Sequence, residues 1–289
     1  MSTKKTVAII GKSKPELNSV APDLIRTLQD RKYEVLVDPD TAQAVHPANV
    51  KTVERSAIAA HHPGFVIVLG GDGTLLAAAR AVATARIPLL AVNLGSLGFL
   101  TEVRKEELFT ALDAIEQSRC TRDIRAMLQC KVLRRGEQVA EYIALNDVVV
   151  TKATIARMSE VDVAVDGQFI AKYRADGVIV STPTGSTAYS LAAGGPVLEP
   201  SVAALVITPI SPHALTSRPL VVPDSAEITL DVRGETDETY LTVDGQTGMD
   251  LLEGDQIVCR KSEHRVELLR LPGRPFFEVL RTKLKWGER

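Results

Sequence analysis

The sequence predicts an α/β N-terminal domain followed by a mainly β C-terminal domain. Up to about residue 120, short apolar runs alternate with longer segments of helical periodicity. After residue 121, short β-prone runs follow one another with turn signals between them. A glycine-rich segment, Gly70-Gly71-Asp72-Gly73-Thr74, comes directly after the apolar run at 65–69, as in a strand-to-helix turn. Two domains of different architecture are therefore expected.

The N-terminal part, residues 1–120, is predicted to be a Rossmann-like domain. Because strand and helix alternate along it, the strands are expected to form a parallel sheet with helices on both faces. Ligands of such sheets bind at the carboxyl ends of the strands, where Asp72 and the loop at 93–99 both lie. The predicted strands cover residues 7–10, 33–37, 65–69 and 88–92, and the predicted helices cover residues 16–30, 50–60, 75–85 and 106–118.

The second part, residues 121–270, is predicted to be mainly β with one helix at 186–193. The dipeptide Asp166-Gly167 between two β-prone runs is a strong hairpin signal. A helix is predicted at 276–284, within the C-terminal segment 271–289. The predicted strands cover residues 127–133, 142–151, 161–165, 169–173, 221–232, 240–243 and 256–260.

Composition limits the partners and the compartment of the chain. The formal net charge of −2 gives no electrostatic reason to expect nucleic acid or an anionic membrane as a partner. No apolar stretch approaches the roughly 20 residues that a membrane span needs. Cys120, Cys130 and Cys259 are sparse and far apart, which favours the reducing cytoplasm and argues against a structural zinc site. His61 and His62 have no third ligand at useful spacing, so no metal cluster is predicted.

Asp72 is the first candidate catalytic residue. The flanking glycines allow the backbone to approach a ligand closely, and the start of the following helix favours a phosphate. A carboxylate among phosphate-accepting amides indicates phosphoryl transfer, with Asp72 as a base or a metal-linked group. The alternative is a tight turn in which Asp72 only caps the helix. Neither a Gly-x-x-x-x-Gly-Lys-Ser/Thr nor a Gly-x-Gly-x-x-Gly pattern occurs, which argues against a P-loop enzyme and an NAD-dependent dehydrogenase.

A second segment, at 176–190, again runs from a strand through small residues into a helix. Its Thr-Pro-Thr-Gly-Ser-Thr-Ala-Tyr-Ser sequence, the pair Asn146-Asp147 and the Gly-Gly-Asp-Gly loop occur in an order and at separations that resemble the NAD kinase family. The likeness runs from Val7 to the C-terminal helix. The Gly-Gly-Asp-Gly loop by itself would also suit lipid kinases of the diacylglycerol and sphingosine type, or phosphofructokinases.

The resemblance implies an enzyme that makes NADP by phosphorylating the 2′-hydroxyl of the adenosine ribose of NAD. It implies that Asp72 is the general base, that ATP or inorganic polyphosphate is the donor, and that Mg²⁺ or Mn²⁺ is required. It also implies a cytoplasmic homodimer or homotetramer whose last segment returns to the first domain. A non-catalytic NAD sensor is the alternative from another class, although pure binding would not need an acid beside the phosphates.

The resemblance also implies the residues that bind NAD. Asp147 departs from the Asn-Glu pair usual in the family and has a shorter reach. Asn146 and Asp147 are expected to recognise adenine and ribose, with a water-facing strand edge as the alternative. Tyr189 is expected to stack on a base, with a core tyrosine as the alternative, and Phe99 either packs on adenine or lies in the core. Arg174 and Asp176 are expected near the nicotinamide half of NAD, where Arg174 either meets the pyrophosphate or disfavours reduced nicotinamide, with an ordinary surface pair as the alternative. The expected NAD-binding residues are Asp72, Gly73, Asn146, Asp147, Arg157, Arg174, Asp176, Thr187, Ala188, Tyr189, Ser190, Leu191, Ala192 and Gln246.

Overall fold

The computed structural model describes residues 5–12, 15–47, 50–95, 98–152, 159–233, 239–273 and 276–286. The chain divides into two compact units. Unit 1 comprises Met1–Ile124 together with Arg265–Arg289, and unit 2 comprises Arg125–His264. The α/β first part and the mainly β second part predicted from the sequence are confirmed. Among the helices of the described ranges, none has both the length and the apolar character to cross a bilayer.

Unit 1 begins with a parallel sheet. Its elements are β1 (Thr6–Gly11), α1 (Pro15–Asp30), β2 (Glu34–Val37), α2 (Pro39–Val45), β3 (Lys51–Thr52), β4 (Phe65–Leu69), α3 (Asp72–Val82), β5 (Leu89–Asn93), β6 (Val103–Arg104) and α4 (Leu108–Glu116). The strand order is β5-β4-β1-β2-β3, and β6 pairs with the end of β5. All these pairs are parallel, so the carboxyl ends of the strands meet at one edge.

The sheet of unit 1 is buried because its strands are almost entirely apolar. Every residue of β4 and β5 is buried, as expected for strands covered on both faces. In α1 the buried residues Leu17, Ala21, Leu24 and Leu28 recur at intervals of three and four residues, which gives the helix one apolar face. That face packs with β1, β2 and β4 in one hydrophobic cluster.

Unit 2 is built from antiparallel strands. Its elements in chain order are β7 (Thr121–Arg134), β8 (Glu137–Ala144), β9 (Asp147–Lys152), β10 (Ser159–Val165), β11 (Gln168–Ala175), β12 (Gly177–Ser181), α5 (Tyr189–Ala192), β13 (Ala204–Ile210), β14 (Leu220–Pro223), β15 (Ile228–Arg233), β16 (Thr239–Val243), β17 (Thr247–Leu251) and β18 (Gln256–Arg270). One sheet has the order β14-β13-β12-β9-β16-β17, and a second contains β11, β10, β15, β18, β7 and β8. Side chains of both sheets form one core.

The C-terminal segment returns to unit 1. The first residues of β7, up to Ile124, and the last residues of β18, from Arg265, lie in that unit, where Leu268 pairs in parallel with Leu89 of β5. The final helix, α6 (Phe276–Leu284), also belongs to unit 1 and buries Val279 and Leu280.

Two predicted helices are wrong in part. Residues 50–60 form β3 and a 3₁₀ helix (Arg55–His61) instead of an α-helix, and α2 precedes them where no helix was predicted. The signal for α2 was local, because Asp38 caps it through Thr41 N and Pro39 starts it. The predicted helix at 186–193 is a 3₁₀ turn (Gly185–Thr187) followed by the four residues of α5, because the backbone at Ala188 is not helical.

The strand predictions of the second part also needed changes. β13 was not predicted, although it is a fully buried run, and such short runs are hard to tell from helix by periodicity. The predicted strand at 221–232 is two strands, β14 and β15, separated after Pro223. β7 and β18 are longer than predicted, at 14 and 15 residues.

Candidate active site

The glycine-rich segment joins β4 to α3. Gly71 is the N-cap of α3, and Asp72 is the first residue of the helix. A Cβ at Gly70 would collide with the Thr74 side chain, so the turn requires a glycine there. Because α3 begins directly after β4, its first amides lie at the carboxyl end of that strand. Such a helix start favours an anion.

The Asp72 carboxylate is held by four donors from the segment that follows β5. Its Oδ2 accepts from Phe99 N at 2.9 Å, and its Oδ1 accepts from Leu100 N at 3.2 Å and Thr101 N at 3.0 Å. The Thr101 hydroxyl also donates to Oδ1, at 2.9 Å. A Cβ at Gly98 would collide with this carboxylate. Since α3 has no side-chain cap, the alternative that Asp72 only caps its helix is wrong.

These contacts give Asp72 a fixed orientation at the start of a helix. The carboxylate is half-buried, so it is neither an ordinary solvated surface group nor sealed in the core. Gly73, the next residue, is exposed. A preoriented carboxylate beside helix N-terminal amides is suited to a proton transfer next to phosphate groups.

In unit 2, the turn between β8 and β9 is organised by Asp244. Its Oδ1 accepts from Asn146 N at 2.8 Å and Asp147 N at 3.3 Å, and its Oδ2 accepts from Leu145 N at 3.1 Å. Asp244 N in turn donates to the Asp147 carbonyl at 2.9 Å. These hydrogen bonds join Asp244 to residues nearly a hundred positions away, and no local signal in the sequence indicates them.

The segment at 182–190 packs directly on this turn. Thr182 Oγ1 donates to the Leu145 carbonyl at 2.6 Å, and Thr182 N donates to the Asn146 carbonyl at 2.9 Å. A Cβ at Gly185 would collide with the same Asn146 carbonyl. The structure thus brings together two motifs that lie some 36 residues apart in the sequence.

Asp147 is the most perturbed carboxyl of this cluster. It is only 4% exposed, at the start of β9, so the alternative of a water-facing strand edge is wrong for it. Burial, and to a lesser extent the nearby Asp244 carboxylate, raise its pKa to about 7 against the opposing effect of a hydrogen bond from Tyr189 N. Asp147 therefore changes charge near neutral pH.

Two side chains beside Asp147 present ligand-binding groups. Asn146 Oδ1 is buried and has no hydrogen-bond partner among the described residues, and such an acceptor is costly unless a ligand or water satisfies it. Tyr189 is 46% exposed, so it is not a core tyrosine. Ser190 is buried and shares a hydrogen bond of 2.9 Å with Thr208. Of the remaining candidates here, Thr187, Ala188 and Leu191 are half-buried and Ala192 and Gln246 are exposed.

Arg174 and Asp176 are not brought together with this cluster within unit 2. Asp176 immediately precedes β12, whereas residues 182–190 follow it, and the five residues of β12 span roughly 17 Å at ~3.3 Å per residue. Arg174 pairs with Glu160 at 3.1 Å, and Asp176 pairs with Lys152 at 2.6 Å. Arg157 lies outside the described residues.

Phe99 is half-buried in unit 1, and its ring lies 6.0 Å from Lys283 Nζ of α6. This is within reach of a cation–π contact. Within the described ranges, no group of three or more His, Cys, Asp or Glu residues is arranged to hold a metal ion.

Models of a known family match both parts of the chain. The ATP-NAD kinase N-terminal domain matches residues 7–120, and the ATP-NAD kinase C-terminal domain matches residues 145–271. The NAD kinase of Koribacter versatilis is 56% identical over 286 residues, which are 99% of this chain and 99% of that protein. The NAD kinase of Acidobacterium capsulatum is 53% identical over 286 residues, which are 99% of this chain and 100% of that protein.

Solved structures show the same fold. Yeast NADH kinase complexed with NADH matches with a TM-score of 0.91 and 26% identity, over 100% of this chain and 89% of that chain. An NAD kinase from Archaeoglobus fulgidus in complex with ATP matches with a TM-score of 0.75 and 24% identity, over 97% of this chain and 98% of that chain, and this match bears on the fold alone. Because both family models match and full-length relatives share more than half of their residues, the chain belongs to the ATP-NAD kinase family.

Proposed function

We propose that this chain transfers the γ-phosphoryl group of ATP to the 2′-hydroxyl of the adenosine ribose of NAD, with Asp72 as the general base. ATP-dependent phosphorylation of NAD follows from membership of the family. The assignment of the base rests on one observation, the half-buried Asp72 carboxylate oriented by four donors at the start of α3. A lipid kinase or phosphofructokinase is no longer an alternative.

Asp72 meets the chemical need of this reaction. A ribose hydroxyl is a poor nucleophile, and a positioned base that accepts its proton typically accelerates such a step by ~10²–10⁴-fold. The amides at the start of α3 favour phosphate groups, which supports binding of the donor beside the base. A pure NAD sensor would not need this preoriented carboxylate.

We assign recognition of NAD mainly to unit 2. The unpartnered Asn146 Oδ1 accepts a hydrogen bond from a base or sugar donor, and the exposed Tyr189 ring stacks on a base. Asp147 binds sugar hydroxyls, and its protonation sets whether it donates or accepts. The other NAD contacts in the proposal are Gly73, Arg157, Arg174, Asp176, Thr187, Ala188, Ser190, Leu191, Ala192 and Gln246.

A divalent cation, Mg²⁺ or Mn²⁺, belongs to the proposal. Mg²⁺ is usually bound through one or two carboxylates together with substrate phosphates. The start of α3 fits a cation carried by the phosphates of the donor, because its amides favour phosphate groups. The cation would neutralise charge on the transferred group. Inorganic polyphosphate is the alternative phosphoryl donor in this proposal.

A cytoplasmic homodimer or homotetramer is also proposed. Phe169 and Ile170 are 65% and 41% exposed on β11, which is the edge strand of its sheet. Exposed apolar side chains on a sheet edge are typical of a surface that another chain covers.

Formation of NADP tests the proposal. Purified protein would be incubated with NAD, ATP and Mg²⁺, and the product read with an NADP-specific dehydrogenase. We expect product from the wild type and essentially none from Asp72→Asn, with NAD binding retained in the variant. Product with polyphosphate but not ATP would change the donor, and turnover by Asp72→Asn at the wild-type rate would exclude Asp72 as the base.

A further inference from the structure

A directed chain of hydrogen bonds leads from Asp72 into the interior of unit 1. The Thr101 hydroxyl donates to Asp72 Oδ1 at 2.9 Å, and Asn93 Nδ2 donates to Thr101 Oγ1 at 2.8 Å. Gly95 N donates to Asn93 Oδ1 at 2.7 Å. That last bond fixes which end of the Asn93 amide carries the nitrogen, because a backbone N–H needs an acceptor. Thr101 and Asn93 are both buried.

The direction of this chain follows from the number of protons on each group. A hydroxyl has a single proton, and Asn93 already donates to the Thr101 oxygen, so the hydroxyl proton is left for Asp72. Neither role can be reversed while Gly95 holds the Asn93 carbonyl oxygen.

The two oxygens of Asp72 are therefore not equivalent. Oδ1 receives three hydrogen bonds, from Leu100 N, Thr101 N and Thr101 Oγ1. Among the described residues Oδ2 receives one, from Phe99 N. A carboxylate oxygen has about two lone-pair sites, so Oδ2 keeps room for another proton and Oδ1 does not.

We propose that Asn93 and Thr101 are positioning residues that orient the Asp72 carboxylate so that Oδ2 is the atom that takes the proton. This inference rests on the proposed function of Asp72. In that step the O–H bond of the ribose 2′-hydroxyl breaks and its proton goes to Oδ2. The sugar oxygen bonds to the γ-phosphorus, and the bond from that phosphorus to the bridging oxygen breaks with its electron pair leaving on ADP.

Two substitutions at Thr101 distinguish the effect of losing its hydroxyl donor from the effect of changing its side-chain volume. Thr101→Val keeps the shape and removes the donor, and Thr101→Ser keeps the donor and removes a methyl group. For Thr101→Val we expect kcat to fall about 10- to 100-fold, the size of effect that a misplaced catalytic group produces. The KM for NAD is expected to stay within about threefold, because the hydrogen bond from Thr101 orients the Asp72 carboxylate and does not hold NAD. Thr101→Ser is expected to restore most of kcat.

Asn93→Asp tests the direction of the chain. A carboxylate at this position still accepts from Gly95 N but attracts the Thr101 hydroxyl proton, so the hydroxyl no longer donates to Asp72. We expect kcat to fall at least as far as in Thr101→Val.

Thr41→Val is the matched control. Thr41 is a buried threonine of the same unit whose hydroxyl donates to the buried carboxylate of Asp38 and accepts from Gly11 N at 2.7 Å. Its substitution removes an equivalent bond elsewhere in unit 1. We expect Thr41→Val to lower Tm about as much as Thr101→Val and to leave kcat within about twofold of the wild type.

The outcomes separate this inference from the proposed function. If Asp72→Asn is inactive and Thr101→Val keeps wild-type kcat, the positioning role is overturned and the base stands. Equal loss of kcat in Thr101→Val and Thr101→Ser, or in Thr101→Val and Thr41→Val, would also overturn it, because packing would then explain the loss. If Asp72→Asn turns over normally, the proposed base fails and the positioning role fails with it.

Discussion

The charge of the Asp147 carboxyl group changes with pH near neutrality. Its pKa is raised to about 7 by burial and by the Asp244 carboxylate. In the unfolded chain an aspartate has a pKa of ~3.9. The folded protein therefore binds the proton more tightly, and the stability from that proton is complete below pH ~3.9 and is lost as the pH rises to about 7.

Asp147→Asn should remove this dependence, because an amide stays neutral. We expect the free energy of unfolding of the variant, relative to the wild type, to increase by about 1.4 kcal/mol per pH unit between about pH 5 and 6.5. Denaturant unfolding of both proteins at several pH values measures the difference. A difference that does not change with pH would mean that Asp147 is ionised throughout.

Tyr189 should contribute to NAD binding and little to stability. Its side chain is 46% exposed, and stacking of an aromatic ring on a base is worth ~1–3 kcal/mol. We expect Tyr189→Ala to weaken NAD binding by roughly 5- to 150-fold with Tm nearly unchanged. Tyr189→Phe keeps the ring and is the control. Calorimetric titration with NAD would contradict the stacking role if Tyr189→Ala bound as tightly as Tyr189→Phe.

At the residue scale, the sequence identified Asp72 but not the groups that support it. The glycines around Asp72 and the apolar run before it form a local pattern. Thr101 and Asp244 act through hydrogen bonds to residues 29 and 97–99 positions away. No periodicity or spacing marks such a contact, because it depends on which strands become neighbours. Thr101 and Asp244 can be recognised as buried, hydrogen-bonded polar side chains only once the fold is known.

Among the elements, α3 shows where local signals were largely sufficient, and α5 shows where they were not. The Leu- and Ala-rich run after Asp72 predicted a helix at 75–85, and α3 covers residues 75–82 of it, followed by a 3₁₀ turn at Ala83–Ala85. In the helix predicted at 186–193, the first residues Ser186 and Thr187 have weak helix propensity, so the start of the helix depends on packing. Gly185 sits against the Asn146 carbonyl, and the backbone at Ala188 leaves the helical region. The site therefore lies on short turns that tertiary contacts define.

Gly185→Ala should damage the NAD-binding turn. The added Cβ collides with the Asn146 carbonyl, so the two segments must separate, at a cost of ~1–3 kcal/mol in stability. We expect NAD binding to weaken strongly, because Asn146 and the segment leading to Tyr189 shift together. Gly64→Ala is the control, since its Cβ would lie 3.7 Å from the nearest atom. Equal NAD affinity and Tm in the two variants would show that the turn accommodates the methyl group.

At the scale of the whole molecule, unit 1 is discontinuous in sequence. Residues 265–289 complete a unit that begins at the N-terminus. Arg270, which is 13% exposed, forms ion pairs with Glu102 and Asp123 of the same unit. The sequence predicted a helix at 276–284, but helical periodicity says only that a helix has an apolar face and not which core receives it. The prediction that this segment returns to the first domain came from the resemblance to the family and not from the periodicity of its residues.

Substitution of Leu280 tests how much the C-terminal segment, residues 265–289, stabilises unit 1. It is 3% exposed on α6, and truncating such a leucine typically costs about 2–5 kcal/mol. We expect Leu280→Ala to reduce hydrogen-exchange protection in β1 and β4 of unit 1 more than in β9 and β12 of unit 2, because the two units have separate hydrophobic clusters. Phe277→Ala on the same helix is the control, since Phe277 is 58% exposed and its loss should cost only ~0.5 kcal/mol. Equal loss of protection in both units would mean that the chain unfolds as one cooperative body, and an unchanged pattern would mean that α6 contributes little to unit 1.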